Sequence, residues 1–184
     1  DGHVPGLSGK QLCGYISTGI STDHECETPE ELLEKVRLGM YVLLREGTGA
    51  KNLKNLVPGI TSATLRRILF CTDDRDINDI LECGTISNCV ATAIDSGVNP
   101  VDAITIATLN AAECYNLQGQ GAIAPGYQAD LVLSRDLSLK NIVGVYKKGL
   151  LVAKDGRVCY PLHPQILPEK MKNTVKLPKL SVHD

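Results

Sequence analysis

The alternation of short apolar segments with helical patterns constrains the fold of this 184-residue chain more than any other feature. Residues 40–44 and 67–72 are mainly apolar runs of strand length, and residues 19–22 are typical of a further short strand. Between them, Thr28 followed by Pro29 and Glu31 predicts a helix start with a capping box. Strands that alternate with helices predict parallel βαβ units, and therefore an α/β fold.

Polar residues follow each predicted strand. They form clusters at residues 23–25, 45–46 and 73–74, and a fourth cluster at residues 1–3 is typical of the end of a further strand. The carboxyl ends of parallel strands meet at one face, and in a (β/α)₈ barrel that face carries the active site. The sequence therefore predicts part of a TIM-type barrel over residues 1–118, with its functional side chains at these strand ends.

The remaining pattern predicts further helices and a small β unit. Helices are expected at residues 8–17, 50–56, 76–83, 86–96, 100–107 and 110–116, with Ser8, Asn99 and Asn110 suited to capping. A strand at 130–134 and a hairpin of 142–148 with 150–154 predict a small β domain over residues 119–160. Residues 161–184 are predicted to be an irregular linker, with His163 and His183 at its surface.

Composition excludes several classes of function. The formal net charge of −2 gives no electrostatic reason to expect nucleic acid or a membrane as partner. No apolar run approaches the ~18 residues that a membrane span requires. The seven cysteines include no Cys-x-x-Cys pair, which favours a reducing cytoplasm over a disulfide framework or a structural zinc site. The Gly-x-Gly-x-x-Gly and Gly-x-Ser-x-Gly motifs are also absent.

Two histidines and an aspartate at the predicted strand ends indicate a divalent metal site. His3, His24 and Asp73 each follow a different strand, so their side chains would converge above the barrel. Such ligands suit hydrolysis, because a bound divalent metal lowers the pKa of its water ligand to about 7. Each residue also has an ordinary interpretation: a single histidine is commonly a surface or hydrogen-bonded residue, and Asp73 could cap the helix that follows.

Neighbouring residues could take part in the same chemistry. Asp73 could act as a general base that passes a proton to a leaving nitrogen, with Asp74 as a helix cap or supporting partner. Glu25 could bind a ring nitrogen of the substrate or orient a ligand, or it could be a solvated loop acid. Arg45 and Glu46 could line the substrate pocket or form an internal ion pair.

These motifs resemble those of the bacterial and archaeal adenine deaminases of the amidohydrolase superfamily. The resemblance is carried by Asp-Gly-His-Val-Pro-Gly-Leu-Ser-Gly at residues 1–9, Ser-Thr-Asp-His-Glu at 21–25, Arg-Glu-Gly at 45–47, Ala-Lys-Asn-Leu at 50–53 and Thr-Asp-Asp-Arg at 72–75. Residues 107–113 and 121–132 resemble the ending shared across the superfamily. The resemblance covers nearly the whole chain, and the motifs at 1–3 and 21–25 are its most specific part.

The resemblance implies strands five to eight of the barrel, with their helices, followed by the small β domain. It places His3 after strand five, His24 after strand six and Asp73 after strand eight, as ligands of one or two divalent ions of manganese, iron or zinc. The implied reaction is the hydrolytic deamination of adenine to hypoxanthine and ammonia. In it, Asp73 is the proton shuttle and Glu25 contacts the purine.

One departure from the family pattern limits this expectation. The family's His-x-His pair and bridging carboxylate do not occur in these residues. We therefore expect a piece of a larger protein that depends on the other half of the barrel, binds metal weakly alone and is inactive alone, because half a barrel exposes two sheet edges. A homo-oligomer is compatible with this expectation. Two alternatives remain: another amidohydrolase that acts on a cyclic amide or amidine, and a truncated, non-catalytic binding or structural module.

Overall fold

A three-stranded parallel sheet forms the centre of the first part of the protein. The computed structural model describes residues 1–159, 161 and 166–176. The strands are β1 (Thr22–Asp23), β2 (Tyr41–Arg45) and β3 (Ile68–Cys71), in the order β1-β2-β3. Gly2 makes an isolated parallel bridge with Asp23, so the first residues lie beside β1. The predicted parallel α/β arrangement is confirmed.

The helices connect and cover these strands. Their bounds are α1 (Gly9–Ile16), α2 (Pro29–Arg37), α3 (Leu53–Leu56), α4 (Ile77–Cys83), α5 (Ile86–Asp95), α6 (Pro100–Thr105) and α7 (Ala111–Cys114). Short 3₁₀ turns occur at Val57–Gly59, Leu65–Arg67 and Glu169–Met171. None of the helices in the described residues has the length and apolar character to cross a membrane.

The start of α2 matches the predicted cap only in part. Thr28 Oγ1 accepts a hydrogen bond from the Glu31 backbone N–H at 3.2 Å, and Pro29 occupies the first turn, as predicted. The reciprocal bond of a capping box is replaced, because Glu31 Oε2 accepts from the Glu27 backbone N–H at 2.9 Å. The Glu31 side chain is thus directed to the loop that enters the helix. Ser8, also predicted as a cap, makes no side-chain capping bond.

The predicted break at residues 108–110 is wrong. The helix continues from α6 through a single π-helical segment, Ile106–Asn110, into α7. Asn110 is fully buried and does not cap a helix; its Nδ2 donates to the backbone oxygens of Leu65 at 2.7 Å and Ile68 at 2.9 Å. A side chain that sequence pattern assigns to a helix end therefore ties the helix to the start of β3.

The core lies between one face of the parallel sheet and the helices. Successive strand residues point to opposite faces, and Val42, Leu44, Ile68 and Phe70 belong to the core cluster. They pack with buried side chains of α2, α3, α5 and α6 and of the π segment, including Leu32, Leu53, Leu56, Val90, Ala103 and Ile106. Arg45 directly follows Leu44 in β2, so its side chain lies on the other face of the sheet.

A four-stranded antiparallel sheet follows, as the sequence predicts. It contains β4 (Leu131–Ser134), β5 (Ile142–Lys147), β6 (Leu150–Lys154) and β7 (Arg157–Val158), in sequential order. Lys148 and Gly149 connect β5 and β6 with positive φ angles of 51° and 79°, which is typical of a tight hairpin turn. Half of the linker predicted at 161–184 lies outside the described residues, and so do His163 and His183.

Candidate metal centre

Three potential ligand side chains meet beside the end of β1. His3, His24 and Glu25 each present a ligand atom, and these atoms lie within 4.8 Å of one another. The two imidazole rings pack edge to face with centroids 4.6 Å apart, and His3 Nδ1 is 3.5 Å from Glu25 Oε1. The Gly2–Asp23 bridge brings His3 to β1, because each histidine directly follows one member of the bridged pair.

His24 is the buried member of this cluster. Its Nε2 lies 3.8 Å from Oδ1 of Asp73, and its Nδ1 lies 2.9 Å from Oδ2 of Asp1. The Asp1 carboxylate is close but out of line for a hydrogen bond, so Nδ1 is a buried nitrogen without a hydrogen-bond partner. Thr22 Oγ1 donates to the other oxygen of Asp1 at 2.9 Å. Sequence reasoning did not select Asp1, although it stands in the Asp-Gly-His motif.

Asp73 joins the cluster from the end of β3 and is paired with Arg45 from the end of β2. The backbone of Asp73 has a φ of 45°, in the left-handed region. Arg45 Nη1 donates to Asp73 Oδ2 at 3.2 Å and lies 3.7 Å from Glu25 Oε1. The guanidinium therefore bridges the two carboxylates. Asp73 faces His24 Nε2 but lies outside the tight group formed by His3, His24 and Glu25.

Asn52 links the two strand ends that carry these side chains. It is buried, its Nδ2 donates to the His24 backbone oxygen at 3.0 Å, and its Oδ1 accepts from the Arg45 backbone N–H at 2.6 Å. This amide holds the residues after β1 and at the end of β2 at a defined separation. The Ala-Lys-Asn-Leu motif contains Asn52, but the spacing of residues alone does not reveal its two partners.

Glu46, predicted beside Arg45 in the pocket, lies elsewhere. It is buried and lines a cleft of about 420 Å³ on the helical side, together with Lys51, Lys54 and Arg75. Burial raises the pKa of Glu46, against the lowering effect of these three cations. Arg45 and Glu46 are adjacent in sequence and therefore point to opposite sides of the sheet.

Asp74 is directed to a loop instead of the cluster. Its Oδ2 accepts from the Gly49 backbone N–H at 2.9 Å, and this bond is the main cause that lowers the pKa of the carboxyl. A Cβ at Gly47 would lie 1.7 Å from Asp74 Oδ1, so the loop and the carboxylate are in direct contact. The side chain thus fastens the loop of residues 47–50.

A second group of potential ligands already contains a cation. Asp23, Cys26 and Glu31 present atoms within 4.8 Å of one another, and the Lys35 ammonium contacts both carboxylates. Burial also raises the pKa of the Cys26 thiol, which disfavours the thiolate that binds metal. This group is therefore a buried ion-pair network. Sequence reasoning missed Lys35, because a lysine in an amphipathic helix is ordinarily exposed.

The donor set of the first group fits a divalent transition metal. Two imidazole nitrogens and a carboxylate oxygen are ligands that zinc, iron and manganese accept. The cluster can therefore hold a cation, with Asp73 beside it as a further carboxylate.

Comparison with known proteins extends this picture. An adenine deaminase of Nitratidesulfovibrio vulgaris strain DP4 is 51% identical over 177 residues, which cover 96% of this chain and 31% of that protein. An adenine deaminase of Lysinibacillus sphaericus strain C3-41 is 45% identical over 181 residues, with 98% and 31% covered. The chain thus spans about a third of the length of these curated relatives.

Solved structures show the same fold at low sequence identity. A β-aspartyl dipeptidase of Fervidobacterium islandicum AW-1 matches with a TM-score of 0.63 and 18% identity, covering 88% of this chain and 49% of that one. This likeness concerns the fold alone. The profile described as "Amidohydrolase family" matches residues 1–152, which is most of the sequence. By this match, and in agreement with the fold and the cluster at its strand ends, the chain belongs to the Amidohydrolase family.

Proposed function

We propose that this chain is part of a metal-dependent adenine deaminase, which hydrolyses the C6 amino group of adenine to give hypoxanthine and ammonia. The observation that carries the proposal is the convergence of His3, His24 and Glu25, with Asp73 beside His24. The adenine deaminases that are 45–51% identical support the choice of substrate. Since the chain spans about a third of their length, the activity is proposed for an assembly that includes further polypeptide.

In this proposal, residues 1–118 supply the second half of a (β/α)₈ barrel and residues 119–160 supply a small β domain. The parallel order β1-β2-β3 and the Gly2–Asp23 bridge support four successive strands of such a barrel. The antiparallel sheet that follows supports the second unit. The carboxyl ends of the parallel strands carry His24, Arg45 and Asp73, which is the placement expected of barrel active sites.

His3, His24 and Asp73 are proposed to hold one or two divalent ions of manganese, iron or zinc. Glu25, which the sequence assigns to substrate contact, has a carboxylate oxygen within 4.8 Å of a ring nitrogen of each histidine. It is therefore a further carboxylate for the same ion. When bound, such an ion acidifies water and polarises the bond that is attacked. Buried His24 lies between two carboxylates, with Nδ1 2.9 Å from Asp1 Oδ2 and Nε2 3.8 Å from Asp73 Oδ1.

Asp73 is proposed to move the proton. One of its oxygens faces His24 and the other accepts a hydrogen bond from Arg45, so its orientation is restricted before substrate arrives. A carboxylate in this place can accept a proton from the attacking water and deliver it to the leaving nitrogen. Glu25 and Arg45 are proposed to contact the purine. Glu46 and Asp74 are directed away from the cluster. Glu46 lines the cleft on the helical side, and Asp74 fastens the loop of residues 47–50.

Product analysis tests the proposal. The chain assembled with the remainder of the barrel and loaded with manganese, iron or zinc is incubated with adenine, adenosine and cytosine, and ammonia and hypoxanthine are measured. We expect turnover of adenine, and its loss in His24→Ala and Asp73→Ala, while the exposed Glu30→Gln control keeps it. Turnover of cytosine, which contains a cyclic amidine, and not of adenine would assign another amidohydrolase activity. No turnover by the folded, loaded assembly would support the non-catalytic alternative.

A further inference from the structure

A fully buried lysine lies beneath the histidine cluster. Lys35 has no exposed surface, and its Nζ contacts three oxygens: Val4 O at 2.8 Å, Asp23 Oδ2 at 2.9 Å and Glu31 Oε1 at 2.7 Å. An ammonium group has three donors and no acceptor. Each donor of Lys35 therefore has one partner, and the ammonium is completely satisfied without water.

The partners of Lys35 are neighbours of the two histidines. Val4 directly follows His3, and Asp23 directly precedes His24. Asp23 Oδ1 also accepts from the Val4 backbone N–H at 3.3 Å. Val4 is thus held at its carbonyl by Lys35 and at its N–H by Asp23, and the Lys35–Asp23 ion pair joins the two bonds.

The same network continues to both sides of the pair. Asp23 Oδ2 accepts from the Glu25 backbone N–H at 3.3 Å, on the far side of His24. Glu31 Oε1 accepts from the Gly6 backbone N–H at 2.8 Å, beyond Val4. The bonds therefore hold the backbone after His3 and on both sides of His24. By contrast, the His3 side chain is 70% exposed and has little packing of its own to hold it.

We infer that Lys35 is a positioning residue that holds His3 and His24 side by side as a pair of metal ligands. The inference rests on the metal site of the proposed function, but not on the identity of the substrate. Groups behind a metal ligand commonly contribute tenfold to a hundredfold to metal affinity, because they orient the ligand before the metal arrives. Lys35 acts on two ligands at once through the backbone beside them.

A purely structural ion pair would give a different result. Removing one partner of a buried pair is strongly destabilising, because the other charge is left unpaired. Such a loss lowers thermal stability, but it leaves the metal affinity of the molecules that remain folded unchanged. A positioning role lowers that affinity and separates the two imidazole rings even in the folded state. Stability and ligand geometry must therefore be measured separately.

The test uses the full chain with Lys35→Met, which keeps the length of the side chain and removes the ammonium. Arg37→Met is the matched control, since it removes the same charge from an exposed position of α2. Thermal unfolding defines the temperature at which each variant is folded. At that temperature, calorimetry measures Zn²⁺ affinity, and NMR of the metal-free chain measures the nuclear Overhauser effect between the His3 and His24 rings.

We expect Lys35→Met to weaken Zn²⁺ binding tenfold to a hundredfold and to abolish the Overhauser effect, while Arg37→Met changes neither. A folded Lys35→Met chain that keeps the effect and binds Zn²⁺ within twofold of the parent would overturn the inference. If Lys35→Met does not fold, the Lys35→Met/Asp23→Asn pair, which removes the two fully buried charges and leaves the partly exposed Glu31, is judged by the same two measurements.

Failure of the inference and failure of the proposed function give different patterns. If adenine is not turned over but Lys35→Met still separates the rings and weakens Zn²⁺ binding, the positioning role holds and the activity is wrong. If the parent chain binds no Zn²⁺, the Overhauser effect alone decides the positioning role. If adenine is turned over but the folded Lys35→Met chain keeps both the Overhauser effect and the Zn²⁺ affinity, the positioning role is wrong and the activity holds.

Discussion

Nε2 of His24 lies 3.8 Å from Oδ1 of Asp73, although the two residues follow β1 and β3, which do not pair with each other. β2 lies between these strands and contributes Arg45, which donates to the second oxygen of Asp73. The parallel order of the sheet therefore sets the spacing of the imidazole and the carboxylate.

Divalent metal should stabilise the chain through His24. We expect Zn²⁺ at a hundred times its dissociation constant to stabilise the folded state by about 2.7 kcal/mol, because it binds the folded state alone. Thermal unfolding with and without the metal measures this, and a chelator should reverse it. His24→Ala should remove the stabilisation and Glu30→Gln should keep it. An equal metal-induced shift in His24→Ala would place the ion elsewhere.

Arg45→Met should impair turnover through Asp73. Without the guanidinium, the Asp73 carboxylate loses the bond that restrains its second oxygen. We expect kcat/KM for adenine to fall in Arg45→Met and in Asp73→Asn. In the double variant, the loss of transition-state stabilisation should be smaller than the sum of the two single losses by roughly 0.5–3 kcal/mol. Strictly additive effects in this cycle would show that the two residues act independently.

Glu46→Gln should stabilise the protein at neutral pH. Burial raises the folded-state pKa of Glu46 above its ordinary value of 4.5, so the ionised carboxylate reduces stability wherever it is charged. The contribution of Glu46 to the free energy of unfolding therefore becomes more favourable as pH falls through the raised pKa. Urea unfolding should show a higher free energy of unfolding for Glu46→Gln than for the parent at pH 7. The difference should disappear below pH 4.5, the ordinary pKa of the carboxyl. An equal gain at both pH values would rule out ionisation as its cause.

Gly47→Ala should destabilise the protein. The added Cβ would lie 1.7 Å from Asp74 Oδ1 and 2.9 Å from the Ala50 backbone oxygen, so the loop must shift. We expect a loss of about 1–3 kcal/mol, as for overpacked sites. Gly14→Ala is the control, because its Cβ meets nothing within 4 Å in α1 and alanine favours helix by roughly 0.5–1 kcal/mol. Denaturant unfolding distinguishes the two, and equal effects would contradict the prediction.

Asn110→Leu should be more damaging than removal of an ordinary helix cap. Asn110 Nδ2 donates to the backbone oxygens of Leu65 and Ile68. The Leu65 oxygen also accepts from the Ile68 N–H, so the substitution chiefly removes the side-chain donor of the buried Ile68 oxygen, and a buried oxygen left without a donor costs about 1–3 kcal/mol. Asn99→Ala is the comparison, since Asn99 caps α6 by accepting from the Val101 N–H, which is worth about 1 kcal/mol. Equal losses of unfolding free energy would mean that water replaces the Asn110 bonds.

Local sequence pattern predicted the elements that depend on local physics. The apolar runs at β2 and β3 predicted buried strands, and Thr28 with Pro29 predicted the start of α2. The hairpin of β5 and β6 was equally predictable, because Gly149 readily adopts the positive φ angle that such a turn requires. Asn110 was misread, since its partners Leu65 and Ile68 lie more than forty residues away, just before and at the start of β3, and leave no mark on neighbouring residues.

The sequence by itself determined that polar residues follow parallel strands and that two histidines and an aspartate stand among them. Only the tertiary structure decided which side chains share a face: Arg45 joins Asp73, whereas Glu46 enters the helical side. It also decided that Glu25 lies with both histidines and that Lys35 is buried beneath them. Strand parity and helix periodicity are local properties, but ion pairs form between residues that only chain packing brings within a few ångströms.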